Sequence, residues 1–396
     1  MEIYNELKKV VIWLQYVFMI IFLGIYGAIN FFVGRYIFNF ANLGIIQVNK
    51  YIFWILFWIT AFSFIISRFG HEILPRRLAN IFLKVGSYWM ALLFYMVLLL
   101  GIVYMFLLIN KGVKIIPQDI INSSKFAMRS GILIVSTVIV ICTIGYINAN
   151  NLKVINYNVK IPKSAGDIKK LNAIMISDVH LGVLIDKEKL EKIVEKVNGE
   201  NPDIIFICGD LVDEDISPIL EHKMGEVLEK LKSKYGTYFV MGNHEYIGRK
   251  DKEIIEELKS ANINVLVDEV TKVDNSFYVV GRDDLASGYI KGTERKSLDE
   301  LTKGIDKSLP IIVLDHQPKE LEEAKNIGAD MQLSGHTHRG QMFPNNFITQ
   351  RVYEVDWGHV KKDNLNVIVS SGVGTWGPPI RFGTNAEIVK ISMDFK

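Results

Sequence analysis

Four stretches without a single charged residue dominate the first 150 positions of this chain: Val10 to Val33, Tyr51 to Ser67, Ser87 to Ile109, and Gly131 to Ile147. Each holds about 17 to 24 residues, and at about 1.5 Å rise per residue such a helix crosses most or all of a ~30 Å hydrocarbon core. Helices buried in a water-soluble core would carry a polar stripe, which these lack. Residues 1–150 are therefore expected to form an all-α membrane domain of four transmembrane helices. Trp54, Trp58, Tyr88 and Trp89 suit placement at the membrane interface, and Arg35, Lys50, Arg68, Lys84, Lys111 and Arg129 bound the spans. Three further spans and the lack of a clear small-residue cleavage site make the first span an uncleaved helix and not a secretory signal.

The composition hides this division. Hydrophobic residues reach 49% and mean hydropathy is +0.22, although 22% of residues are charged. Before residue 151 there are twelve Lys and Arg against four Asp and Glu; afterwards there are 33 against 39, which recovers the net +2. A cationic membrane half suits anionic lipid, and an acidic remainder argues against binding a nucleic-acid backbone. Cys142 falls in a span and Cys208 in an expected strand, so no disulfide is expected.

The basic residues also give an orientation. With the N-terminus inside, Lys8, Lys9, Arg68, Arg76, Arg77, Lys84, Lys153, Lys160, Lys163, Lys169 and Lys170 lie on the inner side, eleven against six outside. The expectation is a multi-pass protein of the cell membrane with its second domain in the cytoplasm. The spans contain no Asp, Glu, Lys, Arg or His, groups that ion and proton pathways usually need at depth. An anchor, with membrane lipids as partners, is favoured over a transporter.

From about Leu152 the pattern changes. Val154 to Ile161, Ala173 to Ile176, Ile204 to Cys208, Thr237 to Met241, Phe277 to Val280, Ile311 to Leu314 and Val367 to Val369 read as strands. Leu190, Ile193, Val194 and Val197 share one helix face, and Ile254, Ile255 and Leu258 suggest another. Residues 151–396 are expected to form an α/β domain around one layered sheet core.

Polar clusters follow the strands: Ser177-Asp178-Val179-His180, Gly209-Asp210-Leu211-Val212-Asp213, Gly242-Asn243-His244-Glu245, Leu314-Asp315-His316-Gln317-Pro318, and Ser334-Gly335-His336-Thr337-His338-Arg339-Gly340-Gln341. Carboxyl ends of strands are where α/β folds place ligands. Carboxylate, amide oxygen and imidazole suit hard or borderline divalent ions, and no thiolate is among the candidates. Asp178 and His180 can reach one ion where the chain turns, and His336 and His338 can point to different ions. Asp210 can bridge two ions ~3.5–4 Å apart, the separation that clamps both the attacking and the leaving oxygen of a phosphoryl group. Singly, an Asp-x-His pair could cap a helix, a Gly-Asp could be only a turn, and His316 could be a core histidine; five clusters in order carry the reading. His71, His222 and His359 fall outside them and read as loop or surface residues.

With these five motifs, residues 152 to 396 resemble the calcineurin-like metallophosphoesterases, in particular their bacterial membrane-associated branch. The tail Ser370-Ser371-Gly372-Val373-Gly374-Thr375-Trp376-Gly377-Pro378-Pro379-Ile380-Arg381-Phe382-Gly383 and the Gly86-Ser87-Tyr88-Trp89 segment of the leader look like that branch as well. The resemblance implies a layered α/β/β/α sandwich and two divalent metal ions, of Mn²⁺, Fe²⁺ or Zn²⁺ type. One ion would be held by Asp178, His180, Asp210 and His338, the other by Asp210, Asn243, His316 and His336, with a shared hydroxide attacking phosphorus in line. It implies that His244 stabilises or protonates the leaving oxygen and that Asp213 orients it. Glu214 stands where the protein phosphatases of the superfamily carry an arginine, and Arg339 where many relatives carry glycine. Arg339 could bind substrate phosphate or be a solvated loop residue. The expected activity is hydrolysis of a phosphoester or pyrophosphate bond in a lipid-linked or amphiphilic substrate; some relatives cleave the pyrophosphate of a UDP-linked acylated sugar. A metal-binding scaffold without catalysis is the alternative, which a missing ligand or a missing His244 would favour.

Overall fold

The computed structural model describes residues 2–43, 47–70 and 73–396, and the side chains among these other than those of residues 2–12 and 15. The expectation for His71 lies outside the described residues. The chain forms two compact units, Met1–Cys142 and Thr143–Lys396.

The first unit contains α1 (Glu2–Ala41), α2 (Lys50–Gly70), α3 (Arg76–Val113), the single turn α4 (Gln118–Ile121) and most of α5 (Ser124–Asn150). Segments Tyr16–Ala41, Lys50–Gly70, Arg76–Val113 and Ser124–Asn150 are each long and apolar enough to cross a membrane. Their outward side chains are apolar, as at Phe18, Ile55, Leu108 and Leu133. Such a surface is costly in water and neutral in lipid. Where the helices meet, two polar side chains find partners inside the protein: Trp89 Nε1 donates to buried Asn30 Oδ1 at 2.9 Å, and Ser67 Oγ to the Ala79 carbonyl at 2.8 Å. Trp89 is therefore a buried inter-helix partner of Asn30. Gly86 has no room for a Cβ against the Phe64 backbone, so α2 and α3 pack closely there.

The second unit has two six-stranded sheets, the two β layers that the expected sandwich requires. The first runs β1 (Lys153–Ile161), β12 (Glu387–Phe395), β2 (Lys170–Ile176), β3 (Ile204–Cys208), β4 (Thr237–Val240), β5 (Ile263–Leu266) in space. The second runs β10 (Gly358–Lys362), β11 (Leu365–Val369), β9 (Met331–Ser334), β8 (Ile311–Leu314), β7 (Phe277–Gly281), β6 (Glu269–Val273). Alternate residues of each strand face opposite ways. Ala173, Met175, Phe206 and Cys208 meet Val279, Ile312, Leu314 and Leu333 between the sheets. Ile174, Ile176, Ile205 and Ile207 face outward, under Leu190, Ile193, Val194 and Val197 of α6 (Lys187–Gly199) and the buried Ile254 and Leu258 of a later helix. On the far side, Val280, Val313, Val367 and Val369 pack on Leu298, Leu321 and Ile327. The result is the α/β/β/α sandwich. Both faces of the central strands are covered, which is why those strands read as unbroken apolar runs.

Register places the site. β2, β3 and β4 are parallel, with Ile176 opposite Ile207 and Cys208 opposite Val240. β8 and β9 are parallel in the other sheet, with Leu314 opposite Leu333. The polar clusters leave these five strands at their carboxyl ends.

Candidate metal centre

Seven side chains converge there. His180 Nε2 lies 3.1 Å from His338 Nε2 and 3.9 Å from Asp210 Oδ2, and His338 Nε2 lies 3.5 Å from Asp178 Oδ1. On the other side of Asp210, its Oδ2 is 3.2 Å from His316 Nε2. His336 Nδ1 is 2.9 Å from Asn243 Oδ1 and 3.3 Å from His316 Nε2, which is itself 3.2 Å from Asn243 Oδ1. Asp178, His180 and His338 form one group of donor atoms and Asp210, His316 and His336 another, with Asp210 next to both and Asn243 beside the second. His316 Nδ1 sits 2.8 Å from the Cys208 carbonyl and donates to it, so the lone pair of Nε2 points into the second set. Oxygens and imidazole nitrogens thus face one another with too few protons to go round. Divalent cations would resolve that repulsion, and the donor types are those such cations prefer.

The backbone is bent to achieve this. Asp178, His180, Asp210, His336 and His338 all have φ between 47° and 69°, a region L residues occupy rarely and at a cost of about 1–3 kcal/mol each. Cross-links hold the bends. The Glu245 carboxylate, fully buried, accepts from the backbone N–H groups of Asp210 (3.0 Å), Val212 (2.9 Å) and Gly242 (2.7 Å), tying the β3 loop to the β4 loop. Asp210 Oδ1 accepts from the His244 N–H at 2.9 Å, and Asp178 Oδ1 from the His336 N–H at 2.9 Å.

Beside the first set, Asp213 Oδ1 stands 3.3 Å from His244 Nδ1 and 3.7 Å from His180 Nδ1. Burial alone would push the His244 imidazole down; Asp213, Asp210 and Glu214 outweigh it and hold it at about 9. Burial would likewise raise the Asp213 carboxyl, but hydrogen bonding and charge from His180 and His244 keep it well below the usual carboxylate range. His244 borders a cavity of about 390 Å³ that also exposes Asp210, Asn243 and His336 and has an apolar wall of Met342, Ile348 and Trp376.

All nine residues singled out from sequence meet at this site. Arg339 is half-buried, and its guanidinium stacks at 3.9 Å over Trp357, whose indole N–H donates to Glu387. His222 is exposed, as expected, but His359 lies in β10 with Nε2 3.0 Å from Asn366 Oδ1. Two residues were missed. Glu245 had a local signal, since an acidic side chain three residues after a helix cap commonly reaches back to the cap N–H. Arg381 had only its charge in an apolar tail to mark it. It is fully buried, donates through Nε and Nη2 to the Gly374 carbonyl (2.9 and 2.6 Å), and places Nη2 3.3 Å from His338 Nδ1.

A sandwich with paired donor clusters at the ends of both sheets is the architecture of a metal-dependent hydrolase. Residues 171–340 match the model of the calcineurin-like phosphoesterases. The chain is 29% identical over 325 residues to a transmembrane protein with a metallophosphoesterase domain from Danio rerio, covering 77% of this chain and 74% of that one. That alignment is longer than the second unit, so the likeness reaches into the membrane helices. An uncharacterized metallophosphoesterase of Helicobacter pylori is 34% identical over 57% of this chain and 60% of its own length. Another from Aquifex aeolicus is 32% identical over 60% of this chain and 88% of its own. The chain belongs to the calcineurin-like metallophosphoesterase family.

Proposed function

We propose that this protein is a membrane-anchored hydrolase of a phosphoester or phosphoric anhydride bond that works with two divalent ions. Asp178, His180, Asp210 and His338 would hold one ion, and Asp210, Asn243, His316 and His336 the other. The observation that carries the reading is the pair of donor groups, Asp178 with His180 and His338 and Asp210 with His316 and His336, with Asp210 Oδ2 3.9 Å from His180 Nε2 and 3.2 Å from His316 Nε2. Bound there, such ions supply positive charge for the phosphoryl oxygens and acidity for a water. The chain's own residues do the rest. His244, held cationic by Asp213, Asp210 and Glu214, can hand a proton to a leaving oxygen in the cavity, and Asp213 fixes the plane of its ring. Met342, Ile348 and Trp376 give one wall an apolar surface that suits a substrate with a lipid or acyl portion.

The basic-residue balance of the loops supports a cytoplasmic catalytic domain in the cell membrane. A C-terminal reporter active only outside the membrane should stay silent, and a strong signal would reverse the orientation. The activity is tested by screening the full chain, in detergent with Mn²⁺, against phosphomonoesters, phosphodiesters, nucleotide-sugar pyrophosphates and phospholipids. Turnover of one class is expected. No hydrolysis product from any class, whether phosphate, alcohol or phosphomonoester, by protein carrying two ions per chain would overturn the reading.

A further inference from the structure

Beside the cavity lies an apolar surface that the hydrolytic chemistry does not use. Phe343, Phe347, Ile348, Val352 and Trp376 are 41%, 57%, 62%, 63% and 56% exposed. They are neighbours: the rings of Phe343 and Phe347 meet at 5.6 Å, Ile348 and Val352 share a face of the helix Asn346–Val352, and Ile348 and Trp376 border the same cavity. Single exposed apolar residues are ordinary, but a contiguous group marks an interaction surface.

The same unit contains the argument for what covers it. The last turns of α5, Thr143–Asn150, belong to the second unit. There the Arg381 N–H donates to the Gly145 carbonyl at 2.8 Å, Asn148 Nδ2 donates to the Arg381 carbonyl at 3.2 Å, and Ile380 packs where Gly145 has no Cβ. Gly145 lies within the apolar stretch ending at Ile147, about 3 Å of helix from its end. The loop Pro378–Arg381 is thus at the level where that stretch leaves hydrocarbon. From this loop the apolar surface is immediately adjacent: the Phe343 N–H donates to the Phe382 carbonyl at 2.7 Å, and Gln341 Nε2 donates to the Trp376 and Pro378 carbonyls at 3.0 and 2.8 Å. Trp376 and the exposed Arg351 are residue types that favour the headgroup layer.

We propose that helix Asn346–Val352, with Phe343 and Trp376, rests in the interfacial layer of the bilayer that α5 enters, so that the cavity opens onto lipid and receives its substrate from the membrane. This rests on reading the cavity as the substrate site. The test uses the full chain in vesicles of phosphatidylcholine and phosphatidylglycerol, with an environment-sensitive nitrobenzoxadiazole label at Phe347→Cys, at Val352→Cys, or at exposed Lys232→Cys as control, corrected for label on the parent cysteines. At 347 and 352, blue-shifted emission and loss of most of the signal in vesicles of brominated lipid are expected, while the control keeps water-like, unquenched emission. Water-like emission at both positions overturns the proposal. So does a blue shift without quenching by brominated lipid, which would assign the surface to a protein, such as a second copy of this chain. Hydrolysis of bis(p-nitrophenyl) phosphate with Mn²⁺, followed on the same labelled proteins, verifies folding; its loss in the unlabelled parent would count against the hydrolase reading alone, because the quenching decides the membrane contact independently.

Discussion

Arg381 and His338 meet inside the protein, with Arg381 Nη2 3.3 Å from His338 Nδ1, although the arginine belongs to the tail and the histidine to the β9 loop. Burial pulls the guanidinium down to about 10, so it stays cationic at neutral pH. Burial, then His180 and Arg381, keep the His338 imidazole well below its usual range, and therefore neutral. Arg381→Lys keeps a charge but loses the fork that satisfies Gly374 and braces His338. Metal affinity should fall about 10- to 100-fold, as is usual for a residue that orients a ligand. A titration with Mn²⁺ checks this, and unchanged affinity would remove Arg381 from the metal site.

Glu245→Gln should destabilise the domain although the two side chains have the same shape. One carboxylate oxygen accepts from Asp210 and Gly242, the other from Val212. An amide can serve only one of these positions, and its NH₂ would face a backbone N–H. The loss should be about 1.5–3 kcal/mol, the scale of a hydrogen bond to a charged group. Chemical denaturation of the metal-free protein reads it without interference from metal binding.

Removing metal should leave a folded but less stable protein. A ligand that binds only the native state stabilises it according to its concentration over Kd. Dialysis against a chelator is expected to abolish turnover and lower the thermal midpoint, and Mn²⁺ should restore both. Full activity after exhaustive chelation, with metal absent by elemental analysis, would exclude a metal-dependent reaction.

Asp210→Asn isolates the bridge. Asparagine can keep the acceptor for the His244 N–H at Oδ1, so the loop should survive. A neutral amide is a poor partner for two cations, however, and fewer than two ions per chain should remain, with turnover lost. Two retained ions and normal activity would refute the sharing of Asp210.

The site was more legible in the sequence than the fold around it. Asp178, His180, Asp210, Asn243, His316, His336 and His338 sit immediately after apolar runs, so each could be placed at a strand end without knowing the strand order. In the second sheet the apolar runs Phe277 to Val280, Ile311 to Leu314 and Val367 to Val369 were legible as strands, but β6, β9 and β10 were not. β10, Gly-His-Val-Lys-Lys, buries little and has no apolar face to reveal it. In the first sheet β12 does alternate, with Val389, Ile391, Met393 and Phe395 inward and Lys390, Ser392 and Asp394 only partly buried, so the sequence carries a period-2 signal there. Its position between β1 and β2 depends on contacts more than 200 residues apart. Arg381 was invisible for a similar reason, because His338, the site residue it meets, lies 43 residues away.

His244 differs from the ligands around it, and leaving-group chemistry can show that difference. Its Nδ1 faces Asp213 at 3.3 Å and its ring borders the cavity, so it is placed to deliver a proton and not to hold a cation. A proton donor matters most when the leaving group is poor, because an alkoxide must be protonated as the P–O bond breaks while a nitrophenolate departs unaided. His244→Ala should therefore retain both ions and lose roughly 10²- to 10⁴-fold in kcat on an alkyl phosphoester, the usual range for general acid–base catalysis. The loss on an aryl ester should be much smaller. Asp213→Asn should follow the same pattern more mildly, since the imidazole remains but loses the carboxylate that sets its plane and its charge. Equal losses on the two esters would mean that His244 stabilises the phosphoryl group by charge alone, and loss of an ion in His244→Ala would make it a ligand.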